Sequence, residues 1–308
     1  MTANWVWKKR GRLFEAQGTR HPKLLTHQAN PLAVHIADDV FRIFYSGRDH
    51  ENRSSVGAVD IRITTGEIVE DHITPFALHG PAGTFYEAGI SIGNYYSVGV
   101  DRFILFMGWQ NRPGEHWRGD VGRLKLTPDL RLEIESAQPY LRTDAEDEIS
   151  LSYPWVRQTA DCLQMWYGST MSWDAGNGEM LHVIKGAVSP DGQTWRKTGV
   201  AVPFRLGIAQ AFSRPTVIRL KDGYDHMWFS YRAGDGSKYR IGHAQSEDGG
   251  LTWSLALDKL SIPLSKSGWD SEMVEYPFVF AHGNDVYMLY NGNGFGRTGF
   301  GLAVLEDD

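Results

Sequence analysis

Two kinds of side chain in this 308-residue sequence could do chemistry: carboxylates grouped ahead of apolar runs, and arginines that recur at similar positions. Asp270, Glu272 and Glu275 crowd the approach to Tyr276-Pro277-Phe278-Val279, and Glu87 precedes Ala88-Gly89-Ile90-Ser91. Two carboxyls can share acid and base roles once their surroundings push their pKa values apart. Glu275 leads as a catalytic acid or base, with ligand hydrogen bonding and a structural ion pair as the other readings, and Glu87 is its candidate partner. Asp270 and Glu272 read as solvated loop carboxylates. Arg48, Arg214, Arg232 and Arg297 stand at corresponding places despite a net charge of -6. A guanidinium fork fits carboxylate or phosphate. Convergent arginines therefore predict an anionic ligand, unless they pair with Glu87, Glu275 and Asp49.

The elements that must position these groups come from a repeat. IFYSGRD, LFMGWQN, MWYGSTM, MWFSYRA and MLYNGNG share a pattern, with Tyr45, Met107, Tyr167, Phe229 and Tyr290 at the third place, 62, 60, 62 and 61 residues apart. A further strand-like run follows each anchor. Ahead of four of them a proline opens an apolar run, at Asn30-Pro31, Tyr153-Pro154, Arg214-Pro215 and Tyr276-Pro277. Unit two has Glu87-Ala88-Gly89-Ile90-Ser91 instead. Short runs of β-branched and aromatic residues broken by Gly, Asp and Asn read as strands, and proline is tolerated at a strand's first residue. Four strands in each of five units of about 61 residues predict an all-β, five-bladed β-propeller filling 1–308 as one domain. The alternative is a repetitive β-sandwich. Val6-Trp7 or Leu13-Phe14-Glu15 is expected to complete the last sheet beside the C-terminal strand.

Composition narrows the class. Apolar content of 42% excludes disorder, and no window approaches the ~18 apolar residues of a membrane span. Net acidity argues against nucleic-acid binding, so neither nucleic acid nor membrane is an expected partner. Met1–Gln17 lacks a signal-peptide apolar core. Cys162 is the single cysteine, which rules out intramolecular disulfides and fits a reducing compartment. A cytoplasmic location is expected. The histidines lack metal-ligand spacing and no P-loop, GxGxxG, HExxH or GxSxG occurs, so no cofactor is expected.

Ser246-Glu247-Asp248-Gly249-Gly250-Leu251-Thr252-Trp253 fits the Asp-box turn of sialidase-like propellers, and Ser189-Pro190-Asp191-Gly192-Gln193-Thr194-Trp195 is a version one residue shorter. In such turns the Asp accepts backbone N–H bonds and the Trp packs between sheets, so Asp191 and Asp248 read as structural. On the repeat, the x-Pro openings and these turns, the whole chain resembles the five-bladed glycosidase superfamily: the family-43 and family-32 glycoside hydrolases and the family-130 mannoside phosphorylases. The resemblance implies a ligand at one mouth of a central funnel. Residues before the Pro-led strands and after the anchors would line it: Asn30, Tyr153, Arg214, Glu275, Tyr276 and Glu87, then Arg48, Asp49, Trp109, Arg232 and Asn291. Trp109 and Tyr276 would be sugar-stacking platforms.

The family-43 pattern places a base Asp before the first-blade proline and an acid Glu in an E-x-P step of blade three. Here those places hold Asn30 and Ser152-Tyr153-Pro154, and the E-x-P step moves to blade five as Glu275-Tyr276-Pro277. The resemblance therefore implies a carbohydrate-active enzyme, a glycosidase or glycoside phosphorylase, with catalytic Glu275 and Glu87. Its small-molecule or oligosaccharide ligand would be a phosphate, sugar phosphate, nucleotide sugar or acidic sugar held by Arg48, Arg214 and Arg232. Two alternatives stand beside it: a non-catalytic carbohydrate-binding propeller, and a non-hydrolytic sugar-modifying enzyme on the same fold.

Overall fold

Central strands here are buried along their whole length: in Ser54–Arg62 eight successive residues are inaccessible. That is the burial of a strand covered on both faces, and it explains apolar runs without clean alternation. The computed structural model describes residues 5–307; residues 1–4 and 308, the ends of the expected 1–308 unit, lie outside the described residues. The strands are β1 (Trp5–Phe14), β2 (Thr26–Ala37), β3 (Val40–Arg48), β4 (Ser54–Arg62), β5 (Glu67–Ala77), β6 (Gly89–Val98) and β7 (Asp101–Gln110). Next come β8 (Arg118–Leu126), β9 (Leu132–Ile134), β10 (Ser150–Gln158), β11 (Leu163–Ser172), β12 (Leu181–Ser189), β13 (Arg196–Val200) and β14 (Ser213–Arg219). Last are β15 (Asp225–Tyr231), β16 (Arg240–Ser246), β17 (Ser254–Leu255), β18 (Glu275–His282), β19 (Asp285–Asn291) and β20 (Phe300–Asp307).

They pair as antiparallel meanders: β2-β3-β4-β5, β6-β7-β8-β9, β10-β11-β12-β13, β14-β15-β16-β17 and β18-β19-β20-β1. A single parallel pairing, Ser54 with Gly89, joins the first two into one eight-stranded sheet. Only glycine fits there, because a Cβ on Gly89 would occupy the place of the Ser54 hydroxyl. In the last meander β1 lies antiparallel to β20, pairing Trp5 with Asp307 through Phe14 with Phe300. Both N-terminal segments expected to complete that sheet thus lie on one strand, except Glu15 just beyond its end.

The prolines do not open their strands. Each sits inside one, at a bulge: pairing skips from Ala29 to Leu32, Ser152 to Trp155, Ser213 to Thr216 and Glu275 to Phe278. The residue before each proline takes a left-handed backbone, with φ of 56° at Asn30, 33° at Tyr153, 49° at Arg214 and 52° at Tyr276. For a non-glycine residue this conformation costs roughly 1–2 kcal/mol. A bulge also re-aims its side chain, and all four are turned inward and buried or nearly so.

The Asp-box turns form as expected. Asp248 Oδ1 accepts from the Leu251 and Thr252 amides (3.0 and 2.9 Å), and Asp191 Oδ1 from those of Gln193 and Thr194 (2.8 and 3.0 Å). Trp253 packs edge-on against Trp166 of the neighbouring meander, ring centroids 5.7 Å apart. Among the described residues no helix is long and apolar enough to cross a membrane.

Candidate functional site

The four bulges set the floor of the site. Tyr153 and Tyr276, from the third and fifth meanders, meet with ring centroids 5.4 Å apart. Between them the Arg214 guanidinium donates from Nη1 to the Tyr276 carbonyl (2.6 Å) and from Nη2 to the Pro31 carbonyl (2.8 Å). Its two forks are thereby committed to backbone of the fifth and first meanders. Burial lowers its pKa to about 9, against the pull of Tyr153, Tyr276 and Glu275. Arg214, expected to hold a ligand, instead clamps the floor.

Above this floor lies a cavity of about 380 Å³ to which all five meanders contribute, among them Arg48, Trp109, Tyr153, His182, Arg232 and Tyr276. Arg48 Nη1 donates to Asn52 Oδ1 (2.8 Å), and Arg232 Nη2 to Glu179 Oε1 (2.8 Å). Trp109 Nε1 donates to Ser54 Oγ (3.1 Å), which fixes its ring on the cavity wall.

Glu275 opens β18 and is 0% exposed, outside the cavity wall. Among the described residues neither carboxyl oxygen has a hydrogen-bond partner. Burial pushes its pKa well above the ordinary carboxyl value, and the charges of Arg48, Arg232 and Arg214 only partly oppose this. This shift favours the protonated acid, in the field of the two arginines that face the cavity.

Other expected site residues are placed elsewhere. Glu87 does not join Glu275: it faces a separate cavity of about 320 Å³. Its carboxylate accepts from the Gly83 amide (2.5 Å) and Gln110 Nε2 (3.2 Å). The second meander lacks the Pro bulge that turns residues inward elsewhere. Asp49 is tied into the turn after β3, accepting from Lys23 Nζ (2.9 Å), Arg53 Nε (3.0 Å) and the Glu51 and Arg53 amides (3.0 and 2.9 Å). Burial works against its charge, yet those bonds hold its pKa at about 2. Asn291 stitches the first meander to the fifth: its Oδ1 accepts from the Asn30 amide (2.8 Å) and its Nδ2 donates to the Gln28 and Gly299 carbonyls (2.8 and 2.9 Å). Asn30 is buried, and its Oδ1 has no partner among the described residues.

Sequence reasoning passed over His182, Tyr239 and Phe295, which also line the central cavity. His182 Nε2 lies 2.6 Å from Ser152 Oγ and Nδ1 lies 2.7 Å from Thr170 Oγ1. Burial, with Arg232 nearby, lowers its pKa to about 3, so it is neutral near pH 7. The available signal was the repeat itself, since His182 is the second residue of β12 and lies directly opposite Thr170.

The chain is 40% identical over 304 residues to the uncharacterized proteins MT1551 and Rv1502 of Mycobacterium tuberculosis, strains CDC 1551 / Oshkosh and ATCC 25618 / H37Rv, covering 98% of this chain and 100% of theirs. It belongs to their family. No family model matches the chain. Among solved structures, the fold is similar to that of a glycosyl hydrolase from Bacteroides ovatus, with a TM-score of 0.68 at 12% identity over 98% of this chain and 93% of that one. It is also similar to the sucrose-6-phosphate hydrolase of Lactobacillus gasseri, with a TM-score of 0.63 at 11% identity over 93% and 60%. A third is a structure from the GH130 family of mannoside phosphorylases, which contains glycoside hydrolases that target β-1,2 mannosidic linkages in Candida mannan. Its TM-score is 0.65 at 12% identity over 92% and 85%. The resemblance to glycoside hydrolase propellers is borne out at the level of the fold.

Proposed function

We propose that the chain is a carbohydrate-active enzyme of glycosidase or glycoside phosphorylase type, working on an anionic glycan or glycosyl precursor in the funnel of a five-bladed propeller. The five meanders are its blades, β1 closes the ring, and residues 1–308 form one domain. A cytoplasmic location belongs to this reading, supported by the single cysteine. The observation that carries it is the Glu275 carboxyl: fully buried, without a partner, and beside Arg48 and Arg232. An unsatisfied buried polar group costs about 1–3 kcal/mol, which a purely structural role would not retain. Perturbed carboxyls of this kind concentrate at functional sites.

One acid with arginines favours phosphorolysis over two-carboxylate hydrolysis. The Glu275 proton goes to the glycosidic oxygen as its bond to the anomeric carbon breaks. An anionic oxygen of phosphate held by Arg48 and Arg232 forms the new bond, giving a glycosyl phosphate and an alcohol. Catalysis requires the ligand to reach a carboxyl that the free protein encloses. That enclosure, with no carboxylate on the cavity wall among the described residues, supports the second reading, a non-catalytic funnel that binds carbohydrate.

Thermal unfolding with phosphate, sugar phosphates, nucleotide sugars and neutral sugars tests this. A ligand at ~100 Kd stabilises by about 2.7 kcal/mol. Anionic sugars are expected to raise the Tm of the wild type but not of Arg48→Ala or Arg232→Ala. Glu275→Gln is expected to keep the shift and lose turnover with phosphate. No shift with any anion rejects the anionic funnel; turnover retained by Glu275→Gln rejects Glu275 as the acid, and a shift without turnover in the wild type favours the binding protein.

A further inference from the structure

The central cavity does not stand alone. On one side it shares Asn52, Trp109 and Asn111 with the cavity of about 320 Å³ that Glu87 faces. On the other it shares Arg232, Tyr239 and Phe295 with a third, of about 250 Å³. An aromatic ring marks each boundary: Trp109 held by Ser54, and Phe295 edge-on to Tyr239 at 6.2 Å between centroids. Together the three reach the upper part of the roughly 300–1000 Å³ range of small-ligand pockets, and their shared residues set them side by side as a trough longer than one sugar needs.

Phe295 is placed at some cost. It is 40% exposed, and its φ of 60° and ψ of 40° are left-handed, immediately after left-handed Gly294. The ends of this turn are locked, since a Cβ on Gly292 would run into Trp269 and one on Gly296 into the backbone of Ala29. Strain of this kind in a non-glycine residue persists where the surroundings over-determine it, commonly at ligand clamps.

Charge differs along the trough. In the flank beyond Trp109, Glu51 pairs with Arg53, and Glu87 is bonded to Gly83 and Gln110. In the flank beyond Phe295, Lys238 pairs with Glu272. The flank beyond Phe295 is thus matched in charge, whereas the uncompensated Glu87 carboxylate makes the flank beyond Trp109 unfavourable to an anion. In the centre Arg232 is paired with Glu179, but Arg48 is bonded to neutral Asn52, and among the described residues no carboxylate stands on the wall. The middle is therefore left with a net positive charge.

We propose that the mouth is a three-lobed cleft for an oligosaccharide of three units, with an anionic unit in the middle lobe and a neutral unit in each flank. Trp109 and Phe295 are the platforms against which the flanking units pack. This rests on the reading that the funnel takes an anionic glycan, and it makes the protein a binder of internal chain segments rather than of chain ends.

The test is calorimetric titration of the whole chain with glucuronic acid, with a disaccharide of glucuronate and one neutral sugar, and with a neutral–glucuronate–neutral trisaccharide. Inorganic phosphate and the trisaccharide with glucose in the middle serve as comparisons. Each added neutral unit is expected to tighten binding roughly tenfold, about 1.4 kcal/mol, and replacing glucuronate by glucose to weaken it at least as much. Trp109→Ala and Phe295→Ala are expected to remove different steps of that gain. Equal affinity for glucuronic acid and the trisaccharide, or exclusion of the trisaccharide, overturns the cleft while the anionic funnel stands. Binding of phosphate alone does the same. If neither phosphate nor any glucuronate binds, both readings fall.

Discussion

Glu275 and Asp147 are both buried carboxyls, at 0% and 1% exposure, and they are opposites in every other respect. Asp147 accepts from Lys185 Nζ (2.8 Å), Lys197 Nζ (2.5 Å), Tyr167 Oη (2.9 Å) and Ser169 Oγ (2.6 Å). Burial alone would raise its pKa, but these bonds outweigh it and hold the value at about 2. Glu275 has no such bond, and burial wins. Burial, then, does not fix the state of a carboxyl; its partners do. A buried charge that is fully paired belongs to the architecture, whereas an unpaired buried acid calls for a functional explanation.

The largest effect separating the two is on stability. Asp147→Ala leaves the largely buried Lys185 without its carboxylate partner and Lys197 with Asp144 alone, and is expected to cost about 3–5 kcal/mol in urea unfolding. A loss under ~1 kcal/mol would break the comparison on the architectural side. Arg214→Ala comes next, since it strips two buried carbonyls of their donors at about 1–3 kcal/mol each. A melt close to wild type would mean the guanidinium is not the floor clamp described here. Glu275→Gln is expected to unfold within ~1 kcal/mol of the wild type, or later than it, because no bond is lost.

The pH dependence gives the smallest and most diagnostic difference. Asp147 has its folded value lowered to about 2, so its contribution is present above the unfolded value of ~3.9 and lost as pH falls toward 2. Glu275 has its folded value raised. Its protonated form therefore contributes stability that is whole below ~4.3 and is lost as pH rises through the folded value. The stability advantage of Glu275→Gln over wild type should accordingly widen above about pH 4. A constant difference between pH ~4 and ~8 would show that Glu275 ionises normally.

The contrast also marks what a sequence can convey. The period from Tyr45 to Tyr290 is carried by residue types that must be strand, so five repeated units and their two Asp-box turns were legible. The bulges were not. An x-Pro step is compatible with a strand start, and only pairing with the next strand shows Asn30, Tyr153, Arg214 and Tyr276 turned inward. Glu275 stood out because it precedes such a step. Its isolation depended on where Arg214 directs its donors, to the Tyr276 and Pro31 carbonyls, which no spacing reveals. Glu87 was matched to it by analogy between units, and the second unit is the one without the proline. The role of Asp147 has no sequence signal, because its lysines come from β12 and the start of β13.

The measurement closest to the central claim is the protonation state of Glu275 itself. Infrared difference spectroscopy of wild type minus Glu275→Gln at neutral pH should show the carbonyl stretch of a protonated carboxylic acid. A carboxylate pair of bands in its place would mean that Glu275 is ionised in the folded protein, and the account of the funnel as a neutral acid beside Arg48 and Arg232 would be contradicted.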